Sequence, residues 1–183
     1  MRLKRAICRV ALAGTLLAMA GSVSITAARA EPALSIEKSF AASLAAMPAE
    51  PLAVSGSFYV PAYSSVAMAQ GRLRADFSVT LSVHNASETQ PLVLKRIAYF
   101  DTAGKMVESY LKSPIALKPF STVEVSIAVA DVRGGTGANF VVDWAAAGEI
   151  AEPVVEALMV GDVGAAHYAF ISQGRPIKLV GKN

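Results

Sequence analysis

The chain has 183 residues, with 17 Lys and Arg against 14 Asp and Glu, and a formal net charge of +3 at pH 7. Five of the basic residues and none of the acidic ones fall within the first 30 positions, so the chain from residue 31 onward has 12 basic and 14 acidic residues and a net charge of −2. Without a cluster of Lys and Arg, this part of the chain is not expected to bind nucleic acid, which requires a basic face.

The first 30 residues have the pattern of a secretory signal peptide. A basic start, "MRLKR", precedes an uncharged stretch over 10–28 and the small-x-small triplet "ARA". This pattern predicts cleavage between Ala30 and Glu31 and a bacterial protein that is periplasmic or secreted. A retained membrane anchor is the alternative, because the uncharged stretch approaches the roughly 20 residues that span a bilayer. Its Gly, Ser and Thr residues favour cleavage, so we expect no stable membrane insertion of the mature chain.

Patterns for cysteine chemistry and metal binding are absent from the predicted mature chain. The single cysteine, Cys8, lies in the leader, so no disulfide or thiolate metal site is expected after cleavage. The sequence also contains no H-x-x-x-H pair and no calcium-loop pattern. We therefore expect no metal and no cofactor. The mature chain has the length of a single domain.

Residues 31–55 differ in composition from the rest of the chain, since they are rich in Ala and Pro. Ile36, Phe40 and Leu44 recur every four residues after Ser35, which is a suitable N-cap for a helix. A helix this short is marginal in isolation. The pattern predicts a tether over 31–55 that contains at most a short helix.

From residue 56 the hydrophobic period changes to two, as in a β-strand with one buried face. The segment "RLRADFSVTLSVHN" is apolar at every second position, and residues 123–129 repeat the pattern. Further strand candidates, bounded by turn residues, are "SFYVPAY", "LVLKRIAYF", "KMVESYL", "NFVVDWAA", "VVEALMV" and "HYAFIS". These strands, without helices long enough for parallel crossovers, predict an all-β fold over 56–183, a single antiparallel β-sandwich of immunoglobulin-like architecture. A β-barrel is the alternative.

The stretch "RGGTGANFVVDW", residues 133–144, places three glycines ahead of an apolar run. A phosphate-binding Walker loop requires Lys and then Ser or Thr directly after its last glycine, at the start of a helix. Here Ala138, Asn139 and Phe140 follow, and the run has the composition of a strand. The stretch therefore predicts a tight turn, with positive φ at Gly135 or Gly137, and no phosphate site.

Two carboxylates interrupt apolar strand candidates, Asp143 in one and Glu156 in another. Because an unpaired buried carboxylate is costly, each is either paired with a cation such as Arg133 or Arg175, or is a polar anchor in a ligand groove. To these we add Tyr63 from the early aromatic cluster, Asp101 at the start of a predicted hairpin turn and Asn139 shortly after the glycine stretch. The candidate binding residues are Tyr63, Asp101, Asn139, Asp143, Glu156 and Arg175.

Signals for catalysis are weak. The predicted mature chain has two histidines, His84 and His167, and no G-x-S-x-G nucleophile elbow. His84 falls on the polar face of its predicted strand, where a solvated histidine is expected. We predict no catalytic residue and do not expect an enzyme.

The segments "YVPAYSS", "LSVHN", "AYFDTAGK", "GGTGANFVVDW", "EALMVG" and "FISQGR" occur in this order. Through them, residues 57–177 resemble an uncharacterised bacterial family, domain of unknown function 3124. The "GGTGANF" segment with the following Trp144 is the most specific part. His84 and Phe100 depart from the family pattern, in which Arg and a second Tyr often stand at these positions. The resemblance implies a fold unit that is typically exported or lipoprotein-borne, and it implies no activity, because none is assigned to the family.

Three functional classes remain open. The favoured class is an exported, non-enzymatic binding or interaction module of the bacterial cell envelope, with a protein or a glycan as its partner. The first alternative is a structural or assembly protein that uses an unpaired sheet edge. The second is a periplasmic hydrolase, which would need a pocket that joins His84 or His167 to carboxylates. A flat apolar patch would favour the binding module, a bare edge strand the assembly protein and a concave polar pocket the hydrolase.

Overall fold

The structure is a computed structural model and describes residues 35–180, so the predicted signal peptide and its cleavage site lie outside the described residues. The described chain contains one short α-helix, α1 (Ile36–Ser39), and two 3-10 turns, Ala41–Ser43 and Ala69–Gly71. Its strands are β1 (Leu44–Ala45), β2 (Val54–Pro61), β3 (Ser65–Met68), β4 (Leu73–His84), β5 (Leu92–Phe100), β6 (Met106–Ser109), β7 (Ile115–Leu117), β8 (Thr122–Ile127), β9 (Asn139–Ala146), β10 (Val154–Val163), β11 (Ala166–Gln173) and β12 (Arg175–Val180). Among residues 35–180, no helix has the length and apolar character needed to cross a membrane.

The strands form two sheets with antiparallel pairing throughout. In the first sheet the order is β1-β7-β5-β9-β2-β12. β7 pairs with the start of β5, at residues 92–94, and β6 pairs with the end of β5, at residues 98–100. In the second sheet the order is β11-β10-β4-β3. β3 pairs with the start of β4, at residues 73–76, and β8 pairs with the later part of β4, at residues 79–84. The predicted all-β fold, a single antiparallel β-sandwich, is confirmed.

The period of two in the sequence becomes an inner and an outer face of each sheet, because successive side chains of a strand point to opposite sides. In β4 the apolar residues from Ala75 to Val83 are at most 5% exposed, whereas the alternating polar residues are half-buried on the outer face. The core lies between the two inner faces. Its largest fully buried side chains are Tyr99, Phe140, Leu81, Leu92, Leu94, Ile97, Leu117 and Met159.

The first described residues, 35–45, lie against the sandwich. Ile36 of α1 is 5% exposed and belongs to the core cluster, and α1 lies beside β8. β1 pairs with β7, with Leu44 opposite Leu117. The short helix and the short strand are therefore held by tertiary contacts, which fits the weakness of so short a helix on its own.

One residue, Gly174, transfers the chain from the second sheet to the first. Its N–H donates to the carbonyl oxygen of Val155 at 2.7 Å. A Cβ atom at Gly174 would come within 2.8 Å of that oxygen, so the corner requires glycine. As a result β11 ends as the edge strand of the second sheet and β12 begins as an edge strand of the first sheet.

Candidate functional site

The glycine stretch forms a turn at one end of the sandwich, where it packs on the loop between β5 and β6. Gly135 has φ +71°, one of the two positions predicted to be positive, and Gly137 does not have a positive φ. The Thr102 hydroxyl donates to the carbonyl oxygen of Gly134 at 2.9 Å and accepts from the N–H of Gly137 at 2.9 Å. The N–H of Gly135 donates to Val132. These N–H groups are used within the chain, which agrees with a turn and not with a phosphate cradle.

A buried tyrosine lies directly under this turn. A Cβ atom on Gly134 would be 1.8 Å from the Tyr99 hydroxyl oxygen, so the turn can close over the ring only because residue 134 has no side chain. The Tyr99 hydroxyl is buried and has no hydrogen-bond partner within the described residues. Burial is the main reason that the pKa of Tyr99 is raised above its ordinary value of 10.0. The close fit gives this end of the molecule a structural role.

Asp101 stabilises its own turn. Its Oδ1 atom accepts from the N–H groups of Ala103 and Lys105, both at 2.9 Å, and Gly104 in the same turn has φ +78°. This is the usual role of Asp in a turn, where its side chain accepts from nearby backbone N–H groups. Asp101 therefore has one carboxylate oxygen engaged locally.

Asp143 lies on the outer face of the first sheet and is paired. Its Oδ1 atom accepts from the Ser57 hydroxyl at 2.6 Å and its Oδ2 atom accepts from the Arg96 Nε at 2.7 Å. Arg133 and Arg175 are the cation partners predicted from the sequence, whereas the partner of Asp143 in the structure is Arg96. The antiparallel register explains the difference, because it sets Arg96 and Ser57 directly opposite Asp143 on the two neighbouring strands.

Arg133 instead lies in an exposed ionic cluster beside the glycine turn. Its guanidinium contacts the Asp131 carboxylate at 2.6 Å and the Glu108 carboxylate at 3.4 Å. The hydrogen bonds from Arg133 hold the pKa of Asp131 below its ordinary value. Exposed pairs of this kind contribute little to stability, typically below about 1 kcal/mol.

Three of the six candidate binding residues share the outer face of the first sheet, which we call the polar face. The side chains of Asn139 and Asp143 both point outward from β9. Tyr59 of the neighbouring strand β2 points outward on the same face, and Arg175 of β12 is opposite Tyr59. Beside Asp143 is a small groove of about 130 Å³, lined by Ser55, Gly56, Ser57, Lys95, Asp143 and Trp144. Tyr59 is 36% exposed, so the face combines one aromatic ring with charged and amide groups.

Tyr63 and Glu156 lie elsewhere. The Tyr63 ring contacts Phe170 of β11, with ring centroids 6.1 Å apart, where β11 passes the end of β2. Glu156 is half-buried on the outer face of the second sheet, between Ser82 of β4 and Gln173 of β11. Within the described residues it forms no salt bridge. The structure thus separates the two carboxylates that the sequence analysis considered together.

An exposed apolar surface surrounds Glu156 on the outer side of the second sheet. Val154, Leu158 and Val160 of β10 are 50%, 39% and 46% exposed, and Ile171 of β11, opposite Leu158, is 57% exposed. We call these four residues the apolar face. Of this surface, only Glu156 was predicted from the sequence as a binding residue. The sequence contained one sign of this surface. Apolar residues of β10 occupy both odd and even positions, whereas a strand with one solvent-exposed face alternates between apolar and polar residues.

The neighbouring strand β11 is the edge of the second sheet and is exposed along almost its whole length. Tyr168 and Phe170 are 40% and 37% exposed, although the Phe170 ring also makes an edge-to-face contact with Phe77 at 5.2 Å between centroids. Between residues 35 and 180, no further strand pairs with the outer edge of β11.

The two histidines do not form a common site. His84 is opposite Val154 at one end of β10, and His167 is opposite Asp162 near the other end. At 3.3 Å per residue these positions are about 26 Å apart. The His84 Nδ1 atom is 2.8 Å from the Thr122 hydroxyl.

The two grooves named in this section are not lined by a histidine. One groove of about 490 Å³ lies between α1, β6 and β8, and its polar lining includes Glu108, Lys112 and Glu124 but neither histidine. Across residues 35–180, no group of three His, Cys, Asp or Glu side chains comes together as a metal site.

Comparison with known proteins identifies the family of the chain and little more. The crystal structure of Thermotoga maritima 1070 is similar with a TM-score of 0.39 and 11% identity, over 66% of this chain and 92% of that chain, which is too low to carry an argument. A search of curated proteins finds no match. A family model described as a protein of unknown function (DUF3124) matches residues 55–177, in agreement with the resemblance found in the sequence. Since this match covers more than half of the chain, the chain belongs to the DUF3124 family of proteins of unknown function.

Proposed function

We propose that this protein is an exported, non-enzymatic interaction module of the bacterial cell envelope and that its apolar face binds a protein partner. The observation that carries the proposal is the exposure of Val154, Leu158, Val160 and Ile171 on one outer sheet face. Outer positions of an antiparallel sandwich are normally polar. Contiguous exposed apolar side chains with a polar border are characteristic of protein-binding surfaces.

The surroundings of the apolar face suit a flat contact. The β4 residues opposite Leu158 and Val160 are Thr80 and Ser78, whose small side chains leave the surface open. The Ser78 hydroxyl also donates to the carbonyl oxygen of Val160 at 3.0 Å. A flat apolar centre bordered by hydroxyl groups resembles the centre and rim of a protein interface.

The charge of the border indicates the chemistry of the partner. Glu156 lies between Val154 and Leu158 on the same face, and Asp162 lies beyond Val160. Glu156 is half-buried and forms no salt bridge within the described chain. A partner with Arg or Lys at the corresponding position would pair with this carboxylate and would be preferred over a partner with an acidic surface. The expected partner is therefore a protein that presents apolar side chains and at least one cation.

Export is supported by the signal-peptide pattern of residues 1–30, with its basic start, uncharged centre and small residues before Glu31. A location in the envelope would give the mature chain access to other envelope proteins.

The test is crosslinking capture from the envelope of the producing cell, with paired variants. Leu158→Gln and Ile171→Gln remove apolar surface from the face, and Leu73→Gln is the control, because Leu73 is 54% exposed at the far end of β4. We expect the partner captured by the wild type and by Leu73→Gln to be lost from the two face variants, with unchanged melting temperatures. Equal capture by all four proteins would refute the apolar face as the binding surface.

A second candidate is glycan binding on the polar face of the first sheet. An exposed ring, Tyr59, lies on the same flat face as Asp143, Arg96 and Asn139, so a sugar ring could stack on the aromatic side chain and bond to the polar groups. Cosedimentation with purified cell-wall glycan tests this idea. Tyr59→Ala should abolish cosedimentation, and Tyr168→Ala on the other sheet should leave it unchanged. Wild-type protein that stays in the supernatant would exclude this candidate.

A further inference from the structure

We propose that β11 pairs with β11 of a second copy of this chain, antiparallel and edge to edge, so that the protein forms a two-fold dimer. The proposal goes beyond the proposed function because it concerns the free edge of β11 and leaves the apolar face uncovered. It joins two five-stranded sheets into one continuous sheet.

The other strand edges of the described chain have features that prevent pairing. Natural sheets protect their edges with short strands, charges, prolines or covering elements. β1, β3 and β6 have two to four residues, and β6 contains Glu108. β8 contains Glu124 and lies beside α1. β12 contains Arg175, Pro176 and Lys178.

Among residues 35–180, β11 has none of these protections. Its eight residues, "AHYAFISQ", include no Lys, Arg, Asp, Glu or Pro. Seven of the eight are exposed, and the two aromatic residues Tyr168 and Phe170 are each more than a third exposed. A long, uncharged and apolar edge strand is a template for pairing with another strand. Because the strand has no net charge to attract a charged partner, a strand of equally neutral composition is its best match, and a second β11 has that composition.

The sequence of β11 is compatible with antiparallel pairing to itself in a register that keeps each face intact. A two-fold axis perpendicular to the sheet leaves the outer faces of both copies on the same side, so paired residues must share a face. A register centred on Ala169 meets this condition. It places the small Ala169 side chains at the axis, Tyr168 opposite Phe170 on both sides of it, and His167 opposite Ile171. Aromatic pairs directly across two antiparallel strands are favourable.

The dimer has a consequence for binding, which rests on the proposed function. Ile171 and Val160 lie next to the proposed seam, on β11 and on the adjacent strand β10. In the dimer the two apolar faces would lie side by side on one sheet and form a bivalent surface. Two linked sites on one partner or on an assembly bind more tightly than either site alone.

The experiment uses protein purified from the envelope fraction and sedimentation equilibrium over a range of concentrations. Wild type should show a concentration-dependent dimer. Ala169→Lys and Ala169→Glu each put two like charges opposite each other at the axis, so each variant alone should be monomeric. An equimolar mixture of the two variants should restore the dimer, because opposite charges then meet at the axis.

A cysteine variant tests the register directly. Since the predicted mature chain contains no cysteine, Ala169→Cys introduces a single thiol on the axis. Mild oxidation should convert it to a covalent dimer much faster than Ala67→Cys, the control on the exposed edge strand β3. A wild type that is monomeric at all concentrations, a dimer unaffected by Ala169→Lys, or equal oxidation of both cysteine variants would overturn the proposal.

The two proposals fail separately. A monomeric wild type whose partner capture is lost in Leu158→Gln would refute the dimer and support the proposed function. A dimer that is lost in Ala169→Lys, with capture unaffected by Leu158→Gln, would support the dimer and refute the apolar face as the binding surface. A monomeric wild type would refute the dimer whatever Ala169→Lys does to partner capture, because Ala169 is opposite Val160 on the apolar face and its lysine would also act on the proposed binding surface.

Discussion

Gly134 and Tyr99 show how a missing side chain shapes one end of this sandwich. The turn closes so tightly over the tyrosine ring that a Cβ atom on Gly134 would overlap the hydroxyl oxygen at 1.8 Å. The same hydroxyl is buried without a hydrogen-bond partner in the described chain, which destabilises the fold relative to a bonded hydroxyl. Packing at this position is limited by the Tyr99 hydroxyl oxygen and also by the Tyr99 Cζ and Ala138 Cβ atoms, each 2.6 Å from the position of an added Cβ.

Gly134→Ala should destabilise the protein because the added methyl group overpacks a closed site, which costs about 1–3 kcal/mol. For a domain of this size each kcal/mol lowers the melting temperature by roughly 2–4 °C. Gly148→Ala is the matched control, since a Cβ atom at Gly148 meets nothing within 4 Å. Thermal unfolding followed by circular dichroism measures both.

Removal of the tyrosine oxygen should reduce the destabilisation caused by Gly134→Ala. Tyr99→Phe alone should leave stability unchanged or increase it, because it deletes an unsatisfied buried hydroxyl. Combined with Gly134→Ala, it should recover part of the lost melting temperature, because the ring Cζ atom and the Ala138 Cβ atom would still lie 2.6 Å from the added Cβ. A double variant as unstable as the sum of the single variants would mean that another contact limits the turn.

Tyr99, which is buried, and Tyr110, which is half-buried, also predict a dependence of stability on alkaline pH. Burial raises the pKa of Tyr99 and of Tyr110 above the ordinary value of 10.0. The unfolded state then loses these protons at a lower pH than the folded state, so the free energy of unfolding is unaffected by them below about pH 9 and falls as the pH rises through and above 10. Tyr110→Phe should reduce the fall in melting temperature above pH 10, and Tyr168→Phe, at an exposed position, should not. Identical pH profiles for wild type and Tyr110→Phe would contradict this prediction.

At the scale of elements, most strands were predictable from the sequence, including the four-residue β6. β4 and β8 alternate over enough residues for the period of two to be recognised, and β5, β9, β10 and β11 are bounded by turns. β3, β7 and β12 did not stand out in the sequence. β7 has three buried residues and therefore no alternation. It is a strand because β5 offers an unpaired edge on one side and β1 pairs on the other.

Ile36 allows the packing of the N-terminal segment to be tested. Its side chain is 5% exposed in the core cluster, and replacement of a buried Ile by Ala typically costs 2–5 kcal/mol. Because α1 is a short element at the margin of the core, we expect about 2 kcal/mol for Ile36→Ala in denaturant unfolding. Met47→Ala, at a side chain that is 47% exposed, should change stability little. No loss in Ile36→Ala would show that residues 35–45 do not pack on the sandwich in solution.

At the scale of the whole molecule, the net charge depends on whether the predicted signal peptide is still attached. The basic excess of the chain lies within the first 30 residues, and the remainder is slightly acidic. Cleavage of a leader would therefore change the sign of the net charge as well as the location of the protein.

N-terminal sequencing of the protein from the periplasmic fraction should begin at Glu31. The basic start, the uncharged centre and the Ala-x-Ala end are together the signal that a signal peptidase requires. An Ala30→Arg variant, which replaces the small residue at the cleavage position, should accumulate as a longer form. A wild-type chain that keeps its first residues and sediments with membranes would support a retained anchor.

The sequence by itself determined what depends on neighbours along the chain. Alternating residues define the two faces of β4, and the lack of a side chain lets Gly135 adopt a positive φ and turn the chain into β9. The order of basic, apolar and small residues predicts export in the same local way. Each of these signals is contained in fewer than about 30 residues, so no knowledge of the fold was needed.

Only the tertiary structure decided which residues meet across strands. Antiparallel pairing gave Asp143 the partner Arg96, placed Glu156 on the opposite sheet, and left β11 at an edge with an apolar face beside it. The sequence does not contain this information locally, because pairing brings together segments that are far apart in the chain and a register shift of one residue reverses every face. A strand becomes an edge only through the absence of a neighbour, and that depends on where all the other strands lie.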